Sequence, residues 1–93
     1  MSNKIKCSHI LVKKHSEALT IVEKLRNGET FSKLAKELSL DKASGIKGGD
    51  LGFFTKGMMV KPFEEAAFKL EKGTITQQPI KTEFGYHIIK RTE

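Results

Sequence analysis

Tryptophan is absent from the chain and cysteine occurs once, at Cys7, so no internal disulfide can form. A lone thiol fits a reducing compartment, and a cytoplasmic protein is expected on that ground. Arginine is almost as scarce: only Arg26 and Arg91 stand among the 17 basic residues. Base reading and phosphate clamping rely on the planar arginine fork, so neither fits this composition. The aromatic residues do not alternate with the basic ones, as a single-strand nucleic-acid binder would require, and no specific nucleic acid is expected. No apolar run approaches the roughly 20 residues that span a bilayer. The start, Met1-Ser2-Asn3-Lys4-Ile5-Lys6, carries charge but no apolar region behind it, so no secretory signal is expected. Gly45 to Gly52 lacks the Gly-Lys-Ser/Thr ending of a phosphate loop. Cys7-x-His9 with His15 and His87 matches no common zinc spacing, so neither metal nor cofactor is expected.

What is present suits one small globular domain over residues 1–93, with 38% hydrophobic and 30% charged residues. The net charge of +6 keeps such a domain soluble and also favours anionic partners. Alternation predicts a strand over Lys4 to Val12, with Ile5, Cys7, His9 and Leu11 on one face. Ser16 is placed as the cap of a first helix whose stripe is Ala18, Val22 and Leu25, widened by Leu19 and Ile21 and ended by Gly28. Thr30 caps a second helix with Phe31, Leu34, Ala35 and Leu38 inward and Lys33 and Lys36 outward. Asp41 to Gly49 reads as a loop or at most one helical turn, and Leu51 to Phe54 as a short strand. Pro62 opens a further helix, with Phe63, Ala66 or Ala67, and Leu70 inward, which Gly73 stops. Pro79 to Thr82 is a candidate edge strand, because proline cannot donate to a central ladder. Tyr86 to Thr92 is the last strand, with His87, Ile89 and Arg91 sharing a face. The order βαααβαββ, counting the single turn as a helix, predicts an α+β domain.

Three stretches are poorly explained by packing alone. They are Ser8-His9-Ile10-Leu11-Val12, the glycine-rich Gly48-Gly49-Asp50-Leu51-Gly52-Phe53-Phe54, and Thr82-Glu83-Phe84-Gly85-Tyr86-His87-Ile88-Ile89. Together with Lys61-Pro62-Phe63-Glu64-Glu65-Ala66-Ala67-Phe68, in this order and spacing, they resemble the parvulin rotamases over essentially the whole chain.

The resemblance implies an FKBP-like, four-stranded antiparallel sheet surrounded by four helices, with the first and last strands adjacent at its centre. His9 and His87 would then lie side by side, and two adjacent imidazoles cannot both carry charge cheaply. Thr82 matches the hydroxyl that holds the second histidine's tautomer, and Asp41 the family's Cys or Asp position nearest the turning peptide bond. Either assignment has a plainer counterpart: a histidine pair that orders the sheet, and an aspartate that caps a turn. Leu51, Met59 and Phe63 match the apolar cradle for the substrate proline ring, and Phe54 is placed in the same cleft. Because the position is Asp41, and Cys7 reads as a small core residue, no covalent mechanism is implied.

The implied activity is peptidyl-prolyl cis/trans isomerisation on proline-containing peptides and unfolded proteins, by a monomer. Lys13-Lys14-His15 leads directly into the helix without the longer arginine-rich loop of phosphate-directed relatives, so no phosphate requirement is expected. Lys13 and Lys14 suggest an acidic or polar residue before the proline. Two further readings stand beside the enzyme. One is a chaperone-like binder with little turnover. The other is attachment to an acidic protein or to anionic lipid at the inner membrane face through Lys4, Lys6, Lys33, Lys36 and Lys47.

Overall fold

The computed structural model describes residues 4–93; the Met1-Ser2-Asn3 part of the amino-terminal reading lies outside them. Its elements are β1 (Ile5–Val12), α1 (His15–Arg26), α2 (Phe31–Leu38), α3 (Lys42–Gly45), β2 (Asp50–Phe54), α4 (Lys61–Lys69), β3 (Ile80–Thr82) and β4 (Gly85–Arg91). The four strands form one antiparallel sheet in the order β2-β1-β4-β3, so the first and last strands are its central pair. This is the α+β arrangement that the element order predicts.

The two faces of β1 explain the layering. Ile10 and Val12 point to one side, where they pack with Ile88 against Ala18, Ile21 and Val22 of α1 and Phe31, Leu34 and Ala35 of α2. Ile5 and Cys7 point to the other side, with Ile89, Phe54, and Phe63 and Ala67 of α4. A period-2 strand between two helical layers must be apolar on both faces. His9 occupies the second face among these apolar residues, which is why it stands out in the sequence.

Several local readings need correction. α1 begins at His15, not after Ser16, because the Glu17 carboxylate reaches back to accept the Lys14 N–H at 3.0 Å. Leu19 is 44% exposed, since it sits one residue, about 100°, off the stripe of Ala18, Ile21, Val22 and Leu25. Leu38 is 40% exposed; Ser39 takes the inward place instead, fully buried, its hydroxyl accepting the Leu11 N–H at 3.1 Å. Pro62 is the second residue of α4, which begins at Lys61, and it costs no hydrogen bond there. The helix ends at Lys69, ahead of Gly73. Beyond it, residues 73–76 run along β4: Thr76 N–H donates to Ile89 O at 2.9 Å and Arg91 N–H to Thr74 O at 3.0 Å. That pairing continues the sheet edge that β3 occupies farther along β4.

Gly49 has no substitute. Its φ of +92° suits glycine, and a Cβ there would collide with the His9 carbonyl. The close approach lets His9 N–H donate to Gly49 O at 2.9 Å, which fixes the strand at the histidine.

Candidate active site

The register of the central pair sets His9 opposite Ile89 and Leu11 opposite His87. The two histidines are therefore diagonal neighbours on one face, not directly opposite, and diagonal spacing is within reach of ring side chains. Their Nδ1 atoms are 2.9 Å apart, and the rings are stacked with centroids 5.1 Å apart. His9 Nε2 lies 2.8 Å from Asp41 Oδ2, and Thr82 Oγ1 lies 2.7 Å from His87 Nε2. Phe84 N–H donates to Thr82 Oγ1 at 3.1 Å. The four polar residues picked from the sequence thus form one continuous chain of hydrogen bonds.

The direction of each bond follows from the ends. A carboxylate only accepts, so His9 donates from Nε2 to Asp41. A neutral His9 then has a bare Nδ1, which must accept from His87 Nδ1–H. That leaves His87 Nε2 bare, to accept the Thr82 hydroxyl, whose oxygen takes the Phe84 N–H. Every group is satisfied with both rings neutral.

The electrostatics agree. Burial lowers the His9 pKa, against the opposing pull of Asp41. Burial, then the proximity of His9, brings His87 down to about 4, with Asp41 opposing weakly. Burial works to raise the Asp41 pKa, yet hydrogen bonds from His9 and Ser44 outweigh it and the carboxyl ends below its usual value. Ser44 Oγ donates to Asp41 Oδ2 at 2.7 Å, from a buried position in α3. Asp41 also caps α3, accepting from Ser44 N–H at 3.4 Å, so the cap and the partner of His9 are the same residue. Its placement is set by Leu40, whose N–H donates to Leu11 O at 2.7 Å and draws the segment alongside β1.

A cleft of about 500 Å³ opens over this chain of bonds, lined by Leu11, Leu51, Met58, Met59, Val60, Phe63 and Phe84 together with His9, His87 and Asp41. Such a volume lies within the range of ligand pockets. Phe63 joins its apolar and polar halves: the ring stands edge-on to His9 at 5.7 Å and to His87 at 5.3 Å. Leu51, Met59 and Phe63 are brought together as the sequence suggests. Phe54 is not with them. It is 1% exposed and lies in the core, its ring 6.0 Å from that of Phe63, because it ends β2 pointing into the sheet–α4 layer. Leu11, Met58, Val60 and Phe84 were missed as lining. Met58 and Phe84 are 65% and 60% exposed, and large apolar side chains in glycine-containing loops are the signal that could have found them.

Cys7 is buried, and desolvation, opposed by nearby Arg91, pushes its thiol up to about 11. It is protonated at neutral pH and lines no part of the cleft.

Comparison with known proteins places this geometry. The PPIC-type PPIASE domain matches residues 1–93. The chain is 57% identical to the foldase protein PrsA of Geobacillus kaustophilus, over 97% of its own length and 32% of that protein. It therefore spans about a third of the length of the curated relatives it matches. Among solved structures, NmPin, the parvuline of Nitrosopumilus maritimus, is 70% identical with a TM-score of 0.88, covering 100% of this chain and 99% of that one. CsPin from the psychrophilic archaeon Cenarchaeum symbiosum is 59% identical with a TM-score of 0.86, covering 100% and 95%. Sequence, sheet topology and structural likeness agree, and the chain belongs to the parvulin, or PPIC-type, family of peptidyl-prolyl isomerase domains.

Proposed function

We propose that residues 1–93 act as one domain that accelerates cis/trans isomerisation of X-Pro bonds in peptides and unfolded proteins, without a covalent step. The observation that carries this reading is the apolar cleft of Leu51, Met59 and Phe63 opening directly onto the chain Asp41–His9–His87–Thr82. An X-Pro bond crosses a barrier of about 18–20 kcal/mol and relaxes uncatalysed over tens to hundreds of seconds. The amide loses resonance as it twists, so its planar form is the more polar one and is held back by water. A prolyl ring seated between Leu51, Met59 and Phe63 leaves the carbonyl side free to rotate. The apolar walls strip water from the planar amide, while Asp41 and the neutral rings meet the twisted one. Cys7 supplies no thiolate, and the residue over the cleft at position 41 is a carboxylate, so rotation proceeds with no bond made or broken to the protein.

The substrate is not phosphate-directed. No lysine or arginine lines the cleft, and its one carboxylate, Asp41, repels a dianionic phosphate before the proline. Lys13 and Lys14 are exposed just ahead of α1 and are not among the cleft residues, so the lining lends no support to the suggested preference for an acidic or polar residue there.

Exchange spectroscopy on X-Pro peptides, with no protease present, tests the reading. Micromolar protein is expected to produce exchange between cis and trans signals, equally for unmodified peptides and less for phosphoserine-proline ones. Binding without exchange would replace the enzyme by the chaperone-like binder.

A monomer at work in the cytoplasm, with a peripheral place at anionic membrane, completes the proposal. Support for the compartment is the single buried thiol. Support for the surface is Lys33 and Lys36, exposed on the outer side of α2, with exposed Lys47 following α3. Lys4 is exposed ahead of β1, and Lys6 lies 3.9 Å from the Asp50 carboxylate and 5.7 Å from the Phe53 ring. Among the described residues no helix is long and apolar enough to cross a membrane, so any attachment through these helices is at the surface.

A further inference from the structure

One wall of the cleft is neither strand nor helix. Residues 55–60 join β2 to α4, and Met58, Met59 and Val60 of this segment all line the cleft. Met58 is largely exposed, so burial does not hold it in place. Inside the segment, a turn is closed by Met58 N–H donating to Thr55 O at 3.3 Å, and Thr55 N–H faces the Met58 sulfur at 3.4 Å. Both of those contacts move with the loop. Met59 and Val60 pack against the core cluster that holds Phe63, and at the loop's tip Lys56 Nζ lies 5.5 Å over the Phe68 ring of α4. The hydrogen bond that ties the tip to α4 is Gly57 N–H donating to Glu64 Oε1 at 2.5 Å. Gly57 has a φ of +96°, a left-handed conformation that glycine adopts freely. Glu64 sits in the first turn of α4, next to Phe63, where a carboxylate is favoured by the helix dipole. A hydrogen bond to a carboxylate is shorter and about twice as strong as one between neutral groups.

We infer that Glu64 is a positioning residue for the prolyl pocket. Its carboxylate clamps the tip of the 55–60 loop to the helix that carries Phe63, and so sets the gap between Met59 and Phe63 in which the ring would sit. This rests on the proposed rotamase function and assigns Glu64 no contact with substrate. A loop freed of the clamp samples wider positions, and part of the binding energy is then spent on ordering it. Asp41, His9, His87 and Thr82 lie on other elements and keep their geometry. Loss of the clamp therefore weakens capture of the peptide and leaves the rotation step alone.

The test compares Glu64→Ala, Glu64→Gln and, as a control for loss of charge in the same helical turn, Glu65→Ala. The measurements are Kd for an unmodified X-Pro peptide by NMR titration, KM and kcat from exchange, and the Gly57 amide signal. Glu64→Ala is expected to raise Kd and KM by roughly five- to tenfold with kcat within about twofold, the size expected for one lost hydrogen bond. Its Gly57 amide moves upfield and exchanges faster with solvent. Glu64→Gln keeps an acceptor oxygen and restores most of the affinity and the amide shift, and Glu65→Ala behaves as wild type. Unchanged Kd in Glu64→Ala, an equal loss in the Gln variant, or a fall confined to kcat would overturn the inference. A wild-type protein that binds peptide but gives no exchange would sink the rotamase reading, while Kd and the Gly57 amide would still decide the role of Glu64.

Discussion

At the scale of single residues, the candidate site is a question of where three protons sit. The bond directions assign His9 to its Nε2–H form and His87 to its Nδ1–H form, and ring nitrogen shifts are expected to show both tautomers at neutral pH. Protonating His9 at Nδ1 would set two N–H groups against each other across 2.9 Å, which gives burial a partner in keeping the rings neutral. The sign of the stability effect follows. His87 has a folded pKa of about 4, below its ordinary value of 6.5, so acid favours the unfolded chain. The stability it contributes is complete above pH 6.5 and is lost as the pH falls toward 4, a loss on the order of 3 kcal/mol. His9 acts in the same direction. Urea titrations between pH 7 and pH 4 check this, and a midpoint that stays level through that window would contradict it. Ser44→Ala removes the 2.7 Å bond to Asp41, and the carboxyl is expected to titrate at higher pH, read from its carbon shift. Cys7→Ala is expected to leave peptide exchange unchanged, since the thiol is buried and protonated; a large loss of rate in a folded variant would contradict a non-covalent mechanism.

At the scale of elements, the legible parts were those with a strict period. The two-residue alternation set His9 with Ile5, Cys7 and Leu11 on one face of β1, and His87 with Ile89 and Arg91 on one face of β4. That these strands pair and bring the rings together was implied by the parvulin resemblance, and the register shows it. Helix stripes were legible except at their margins. Leu19 and Leu38 are as hydrophobic as their buried neighbours, and only the direction in which the chain leaves the sheet decides that they face water. The same ambiguity hid Phe54. A phenylalanine beside a cleft and one beneath it look alike in sequence, and what separates them is its position at the end of β2, with the Phe63 ring close by. The loop residues Met58 and Phe84 have no period at all, so their place on the cleft rim depends on turns that only the fold fixes. The glycine-rich stretch stood out in the sequence as poorly explained by packing, and its closest constraint is Gly49 against the His9 backbone. Gly49→Ala must strain a left-handed residue and push β1 away, and a destabilisation of about 1–3 kcal/mol is expected from chemical unfolding. No change in stability would mean that the contact with His9 is not close.

At the scale of the whole molecule, the arrangement divides the labour between layers. One face of the sheet, under α1 and α2, is ordinary core; the other, under α4 and the 55–60 loop, carries the cleft and the hydrogen-bond chain. The lysines of α2 and the α3 turn lie on the outer surface, where charge can act at a distance without entering the cleft. If they hold the protein on anionic lipid, sedimentation with phosphatidylserine vesicles is expected at low salt and is lost as salt rises, because the attraction is screened over about 10 Å at 0.1 M. Salt-independent binding would refute an electrostatic attachment. The central claim is that rotation is driven by an apolar pocket facing a polar relay of two neutral histidine rings anchored on the Asp41 carboxylate. Its most direct test is exchange spectroscopy on an X-Pro peptide with wild-type protein and with Met59→Ala, which trims the pocket wall and leaves the relay in place. The account predicts clear acceleration by the wild type and a loss of roughly tenfold or more in kcat/KM for the variant, the scale of a few lost apolar contacts. A wild type that gives no acceleration, or a folded variant as fast as wild type, would contradict it.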